Sequence, residues 1–407
     1  MKKTSLFCVT AICLCLLTSC GGSQKTDGGL ELLSNYGGAS LYRTTAAGGE
    51  GHIRVAQLSG SFYAMGRQYG FLLGQDLAVF YGDIIEGYLI GEKGFAYEDL
   101  EREGEASFAT MMPEMKEFVR GVAETSGLSL SRVKIINNSM LAAIYGCSAV
   151  AAWGEYTGGG PLVVGRNWDM VPLDRFKDYM TVVVYNPTEG NSVADINYLG
   201  QFQYFQSAMN DKGLWIDLQD GHMASMATDD SLQDPNSAIL EFLLNDSTME
   251  ELDASFMAGP ASASFIMTAA SKDVAYSYFW CTQGVYRFEE DDQSGLISTS
   301  NHFVEYPDTW TIDPLPPDPA AQAYTELRRE NWLELANSPT YRGLLDDGKM
   351  KTMLETTIPD GGGSFPTTGY PVETVYQIVA VPEDLLLWIR LPKYYGWERV
   401  DLKNLFD

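Results

Sequence analysis

The hydrophobic pattern of this chain changes period at Gly146-Cys147, and that change limits the folds open to it. Upstream, apolar residues recur at helical spacing. They mark one face from Ser61 to Leu89, where Gly66, Gly70 and Gly74 stand four apart. Glycines so spaced let a second helix approach closely, at a propensity cost of up to ~1 kcal/mol each. Pro113 suits a first helical turn, Met115, Phe118, Val119 and Val122 form an apolar stripe, and Gly127 ends it. Ser131 to Tyr145 reads as a third helix. Downstream, short apolar runs alternate with turn residues. Cys147–Trp153 and Leu162–Asp169 read as strands on either side of Thr157-Gly158-Gly159-Gly160, and Met180–Tyr185 as another. Asp234-Pro235 opens a helix to about Leu244, and Ser247 with Glu250 makes a capping box for the next. Phe265–Trp280, Val285–Phe288 and Gly295–Ser300 suggest antiparallel strands, residues 320–335 a helix, and Val375–Val381 with Leu385–Leu391 a closing hairpin. Strands joined by short turns, with helices grouped elsewhere, indicate α+β with largely antiparallel sheets. There is no internal repeat and no strand–GxGxxG–helix phosphate loop.

The first residues read as an address. Lys2 and Lys3 precede an apolar run from Leu6 to Leu17, too short to span a bilayer. The run closes on Leu17-Thr18-Ser19-Cys20, which resembles a bacterial lipoprotein cleavage box. Residues 1–19 would then be a signal peptide, and the Cys20 thiol the point of lipid attachment at a membrane of the cell envelope. The competing reading is an ordinary secretory signal or a short membrane anchor. Residues 20–51, rich in Gly, Ser and Thr, read as a flexible tether. A mainly helical segment over 52–146 and a catalytic segment over 147–407 complete the expected organisation.

Composition removes several functions. The 54 acidic against 27 basic side chains give a formal charge of -27, which repels nucleic acid and strongly anionic lipid alike. Of six cysteines, four fall at or before Cys20, leaving Cys147 and Cys281. One bridge between those two would consume the Cys147 thiol, and nothing here is a disulfide framework. With no CxxC pair and three histidines, a Cys/His zinc site is not expected, nor is any other metal or cofactor.

The chemistry gathers at Cys147. A turn centred between Gly158 and Gly159 sets Cys147 opposite Met170, within about two or three residues, and so brings Arg166 and Asp169 beside it. A guanidinium next to a thiol favours the thiolate. Arg166 and Asp169 are three apart, however, so strict alternation sends them to opposite faces; both serve one site only if the strand bends or ends near Asn167. The histidines give no convincing base: His52 is early, His222 lies in a loop, and His302 follows Asn301. A different activation is open. Cutting Gly146-Cys147 would give Cys147 a free α-amine with a pKa of about 7.7–8.0, suited to general-base work on its own thiol.

The run Gly146-Cys147-Ser148, followed by Gly165-Arg166-Asn167-Trp168-Asp169, resembles the acyl-coenzyme A:6-aminopenicillanate acyltransferase family. That family belongs to the N-terminal nucleophile (Ntn) hydrolases, alongside bile-salt hydrolases, penicillin V acylases and acid ceramidases. Further similar stretches lie in order: Gly60–Gly74, Gly121–Leu128, Met209–Leu214, Ser300-Asn301-His302-Phe303 and Val381–Pro392. The resemblance spans roughly residues 52 to 395. It implies a four-layer αββα sandwich of two antiparallel sheets, with self-cleavage between Gly146 and Cys147 and the first fragment still packed. It implies Cys147 as nucleophile and, through its amine, base; Arg166 beside the thiol; Asp169 as the carboxylate that orients the amine; and Asn301 as an oxyanion donor. It also implies a downstream arginine, either Arg328 or Arg329. Ser148 stands where Thr is commoner. Asp217-Leu218-Gln219-Asp220 occupies a stretch where bile-salt hydrolases carry an Asn, which changes the polarity expected of the pocket.

These readings give an exported, lipid-anchored amidohydrolase or acyltransferase acting on an acyl amide or N-acyl amino acid through an acyl-thioester on Cys147. Outside the cytoplasm acyl-coenzyme A is scarce, which favours hydrolysis over transfer. Two alternatives stand beside it: a surface binding lipoprotein without turnover, and an uncleaved enzyme using Cys147 with His302 or His222. Taken alone, Arg166 and Asp169 also fit a structural ion pair, Asn301 a turn residue, Trp153 and Trp168 either an acyl pocket or core, and Cys281 inert core. Sequence leaves the oligomeric state open.

Overall fold

A computed structural model describes residues 29–46, 49–139, 145–171, 174–221, 227–291, 294–312 and 319–407. The expected signal peptide, Cys20 and His222 lie outside the described residues. The chain opens with β1 (Leu30–Tyr36), β2 (Ala39–Ala46) and β3 (Gly49–Gly60). Helices α1 (Phe62–Phe80), α2 (Tyr97–Thr110), α3 (Pro113–Thr125) and α4 (Leu130–Asn137) follow, α1 running on through wider π-type turns over Tyr81–Glu92. Then come β4 (Tyr145–Ala152), β5 (Val163–Met170), β6 (Met180–Pro187), β7 (Val193–Tyr198), β8 (Ser207–Asn210) and β9 (Trp215–Asp220). Helices α5 (Pro235–Asn245) and α6 (Met249–Phe256) precede β10 (Phe265–Ala270), β11 (Ala275–Cys281), β12 (Gly284–Phe288) and β13 (Leu296–Thr299). Helices α7 (Pro319–Asn337) and α8 (Asp347–Glu355) lead to β14 (Glu373–Val381), β15 (Leu386–Leu391) and β16 (Tyr395–Asp401).

Among the described residues the strands form two sheets, one of ten in the order β1-β2-β3-β6-β7-β8-β9-β10-β11-β12, the other of six in the order β13-β4-β5-β14-β15-β16. All pairings are antiparallel except β3 with β6. The inner faces meet through aromatic side chains: Tyr198 of β7 lies 5.4 Å from Trp168 of β5 and 6.0 Å from Tyr376 of β14. Helices α7 and α8 cover the outer face of the smaller sheet, where Trp332 donates to Ser148 and Gln377 to the Leu354 carbonyl. Tyr185 of β6 meets Phe62 of α1 and Phe118 of α3 on the outer face of the larger. The architecture is α+β, a four-layer αββα sandwich.

The glycine spacing does what its geometry requires. A Cβ on Gly74 would stand 2.9 Å from the Ser126 carbonyl oxygen and one on Gly70 2.5 Å from that of Val122, while at Gly66 the Phe118 carbonyl is closer still. Helices α1 and α3 therefore touch backbone to backbone.

Four expectations need correction. The tether does not extend to residue 51. From Leu30 the chain enters the large sheet as a hairpin whose two-residue loop, Gly37-Gly38, takes φ of 59° and 90°. Positive φ at both positions is the turn that matches strand twist, and Leu30, Ala39 and Leu41 are buried by it. Gly and Ser content concealed a Gly-Gly turn between two strands. The segment 52–146 is accordingly helical only after β3 has finished. The third helix stops at Asn137, eight residues short of its expected end. The capping box lies one residue further on, at Thr248 and Glu251.

The buried Glu398 of β16 clasps the two sheets together. It accepts from the backbone amides of His52 and Ile53 and from Thr44, and meets His52 Nδ1 at 2.6 Å. His52 is thus committed to this clasp.

Replacing Gly66 by Ala should force α1 and α3 apart and cost about 1–3 kcal/mol. Chemical denaturation of the folded protein would show this as a lowered midpoint with an unchanged slope.

Candidate active site at the Gly146–Cys147 bond

Strands β4 and β5 pair with Cys147 opposite Trp168, two residues from the expected register, and Gly146 opposite Asp169. Side chains of adjacent residues on a strand point to opposite faces. Cys147 shares the inner face with Arg166, Trp168 and Tyr376, while Asp169 and Thr374 share the outer face with α7. The strand does not end near Asn167 but runs on to Met170, its ladder with β14 shifting register between Thr374 and Tyr376. Arg166 and Asp169 flank one site because that site is a peptide bond, with one of its two residues matched to each face.

On the inner face the Cys147 thiol is 2% exposed, and Arg166 Nη2 approaches Sγ at 3.6 Å. Arg166 is itself fully buried. It donates to the Leu218 carbonyl at 2.7 Å and to the Tyr376 hydroxyl at 2.9 Å, and lies 3.9 Å from an Asp217 carboxylate oxygen. A thiolate was the sequence expectation. In the intact chain burial outweighs the guanidinium and pushes the thiol up to about 12, with Asp169 and Asp217 adding to the rise. The uncut protein therefore holds its thiol protonated.

In the plane of the sheet, β13 leaves β4 after Thr299, and Asn301 takes its place. Cys147 N–H donates to Asn301 Oδ1 at 2.9 Å. Arg328 Nη2 donates to the same oxygen at 2.7 Å, and Asn301 Nδ2 gives a hydrogen to the Asp220 carbonyl at 2.7 Å. The Asn301 oxygen, not its NH2, faces the Cys147 nitrogen, and one Nδ2 hydrogen is not used in these bonds.

Arg328 Nη1 also reaches Asp169 Oδ2 at 2.5 Å, and Thr374 Oγ1 donates to Asp169 Oδ1 at 2.6 Å. Burial raises the Asp169 carboxyl to about 6 despite Arg328 and Thr374. A Cβ on Gly146 would stand 3.3 Å from Asn301 Oδ1 and 3.6 Å from Arg328 Nη2. A side chain here would have to displace Asn301 Oδ1 by a few tenths of an ångström.

The choice between adjacent arginines is settled by helix direction. Arg328 faces the site, whereas Arg329 turns to the Ser298 carbonyl and Asp291, tying α7 to β13. His302 contacts Thr325 and Ser300 rather than the thiol, and burial lowers it to about 4, so it is neutral near pH 7. Cys147 and Cys281 are both free, and Cys281 is buried in a separate apolar cluster. Trp168 packs against Tyr376 and Tyr198 as core. Among the described residues no group of three or more His, Cys, Asp or Glu could hold a metal ion, and no helix is long and apolar enough to cross a membrane.

Sequence reasoning missed Tyr376 and Thr374. They touch the site only because β14 pairs with β5 some two hundred residues away in sequence, a pairing no local pattern announces. It also left Asp217 without a partner.

No protein-family description matches the chain, and no curated relative does. Several solved structures show a likeness. A mutant of conjugated bile acid hydrolase from Clostridium perfringens is 11% identical, with a TM-score of 0.45 over 63% of this chain and 93% of that one. The N-acylethanolamine-hydrolyzing acid amidase ortholog of Caenorhabditis elegans is 15% identical, at 0.42 over 58% and 93%. Penicillin V acylase from Agrobacterium tumefaciens is 11% identical, at 0.38 over 64% and 88%. At these scores the architecture rests on the chain's own strand order and layering.

If the Gly146–Cys147 bond is cut by the chain itself, the cut should depend on ionised Asp169, which pairs with the Arg328 that donates to Asn301. A raised carboxyl is ionised above its folded pKa and neutral below it. The rate of fragment appearance should therefore fall as pH drops through about 6. In Asp169→Asn it should be slow and lose that pH dependence, as read from timed denaturing gels.

Proposed function

We propose that this chain is a cysteine amidohydrolase that exposes its own nucleophile by cutting the Gly146–Cys147 bond. The observation that carries the reading is the unbroken set of polar groups around that bond: Arg166 at the thiol, Asn301 on the nitrogen, Arg328 and Asp169 behind. In maturation, Cys147 Sγ attacks the Gly146 carbonyl carbon. The C–N bond breaks, a C–S bond forms, and the thiol proton ends on the released nitrogen. Water then adds to the thioester carbon, giving a Gly146 carboxylate and a free thiol.

In turnover the new α-amine takes the thiol proton as Sγ attacks the acyl carbon of an amide. Asn301 Oδ1, already an acceptor for this nitrogen, orients the amine. Arg328, paired with Asp169, holds Asn301. The remaining Asn301 amide hydrogen and nearby backbone amides stabilise the oxyanion, donors of a kind worth roughly 2.7–4 kcal/mol. The proton passes to the leaving amine, and water releases the acyl group from sulfur. The substrate class is an acyl amide, N-acyl amino acids included, and hydrolysis prevails over transfer where acyl-coenzyme A is scarce.

The first fragment would stay in place. It contributes β1, β2 and β3 to the large sheet, is joined to the second by the β3–β6 ladder, and is clasped by Glu398. Export and lipidation at Cys20 complete the proposal, placing the enzyme in the cell envelope.

Purified protein should release free amine from members of a panel of N-acyl amides, and Cys147→Ala should reduce the rate at least about a thousandfold. Full turnover in the alanine variant would defeat the reading. For the anchor, Cys20→Ser should move the protein from the membrane fraction to the soluble fraction in cells, as followed by immunoblot.

A further inference from the structure

Asp217 lies on β9, in the other sheet from the thiol, and is entirely buried. Trp215 Nε1 donates to its Oδ2 at 2.8 Å and Gln219 Nε2 to its Oδ1, while Arg166 Nε stands 3.9 Å from Oδ1. Gln219 in turn accepts from Thr299 Oγ1 at 2.9 Å. Thr299 ends β13, two residues before Asn301. A buried series of polar groups thus runs from Asp217 to the strand end that presents Asn301, and meets the guanidinium under the thiol through an ion pair at 3.9 Å rather than a hydrogen bond, Arg166 Nε having no hydrogen-bond partner.

Burying a carboxylate across from an arginine is costly unless both are held in fixed geometry. Nothing in packing alone demands this one, since an apolar residue of similar volume would fill the gap between the sheets. The series does two things for the reaction. It draws the guanidinium by charge toward the place where the Leu218 carbonyl and the Tyr376 hydroxyl already hold it, and it balances charge. Cys147 is faced by Arg166, Tyr376 and Asp217 across the inner layer and by Asp169 and Arg328 behind it. Two cations and two carboxylates therefore surround the thiol.

We propose that Asp217 is a positioning residue, which fixes Arg166 beneath Cys147 and, through Gln219 and Thr299, sets the thiol in register with Asn301. The inference rests on the function proposed above, but its chemical test does not. Asp217→Asn removes one negative charge facing the thiol at nearly the same volume and leaves a single acceptor oxygen for the Trp215 and Gln219 donors. Freeing Arg166 outweighs the lost charge, so the pH midpoint for alkylation of Cys147 by iodoacetamide, with Cys147→Ser used to subtract Cys281, should move up by about one pH unit. In the same variant kcat should fall at least about tenfold with KM nearly unchanged, and Asp217→Glu should restore part of it.

An alkylation midpoint in folded Asp217→Asn that is unshifted, or lowered as removal of the charge alone would give, overturns the proposal. If Asp217→Asn does not fold, Thr299→Val supplies the test. That change cuts the link to Gln219 but keeps every charge, so kcat should fall while the alkylation midpoint stays in place. Wild-type kcat in Thr299→Val overturns the proposed link. Alkylation needs no substrate, so a raised midpoint in a protein without amidase turnover supports the Asp217–Arg166 coupling while refuting the enzymatic reading.

Discussion

The antiparallel pairing of β4 with β5 is the constraint from which the site follows. It sets Cys147 against Trp168 and Gly146 against Asp169, and so commits the two residues of one peptide bond to opposite faces of a sheet. Everything chemical is then supplied from a different layer. The inner layer gives Arg166, Tyr376 and Asp217; the outer helix α7 gives Arg328; the strand that breaks off at Thr299 gives Asn301. A sandwich of two sheets between helices can surround a peptide bond in this way. A site on one exposed face cannot.

Burial governs the chemistry of the intact chain. The thiol sits near a guanidinium, yet desolvation holds it protonated, with its pKa near 12. The same burial lifts Asp169 and Asp217 to about 6 and keeps His302 neutral. A nucleophile so placed is quiet until something local takes its proton. On the proposed account that base is the α-amine created by scission, which shares the residue of the thiol it serves and needs no histidine. Cys147 then changes from a dormant core residue to a reactive one through a single covalent event.

Much of this was legible in the sequence, and the part that was not has physical causes. The Gly66–Gly70–Gly74 helix, the β4–β5 hairpin and the closing β14–β15 hairpin are local patterns, and local patterns fix local structure. The Gly37-Gly38 hairpin was equally local but hidden by composition, since glycine serves tethers and tight turns alike. Cys147, Arg166, Asp169, Asn301 and one of two adjacent arginines were identifiable as site candidates; the structure brings all five together and decides for Arg328. What sequence had no means to show was the layer each occupies. The three-residue offset between Arg166 and Asp169 is a conflict for a site centred on a side chain and none for the proposed one, centred on the Gly146–Cys147 bond with a residue on each face. Tyr376, Thr374 and the partner of Asp217 depend on pairings between distant strands or between sheets, and no spacing rule reaches that far.

The central claim is that this bond is cut and Cys147 bears a free amine. Intact-mass measurement of the purified, folded protein under denaturing conditions tests it most directly. The account predicts two polypeptides whose masses place the break between Gly146 and Cys147, with the second fragment beginning at an unblocked cysteine. A single uncut chain in preparations that turn over amide substrates would contradict it.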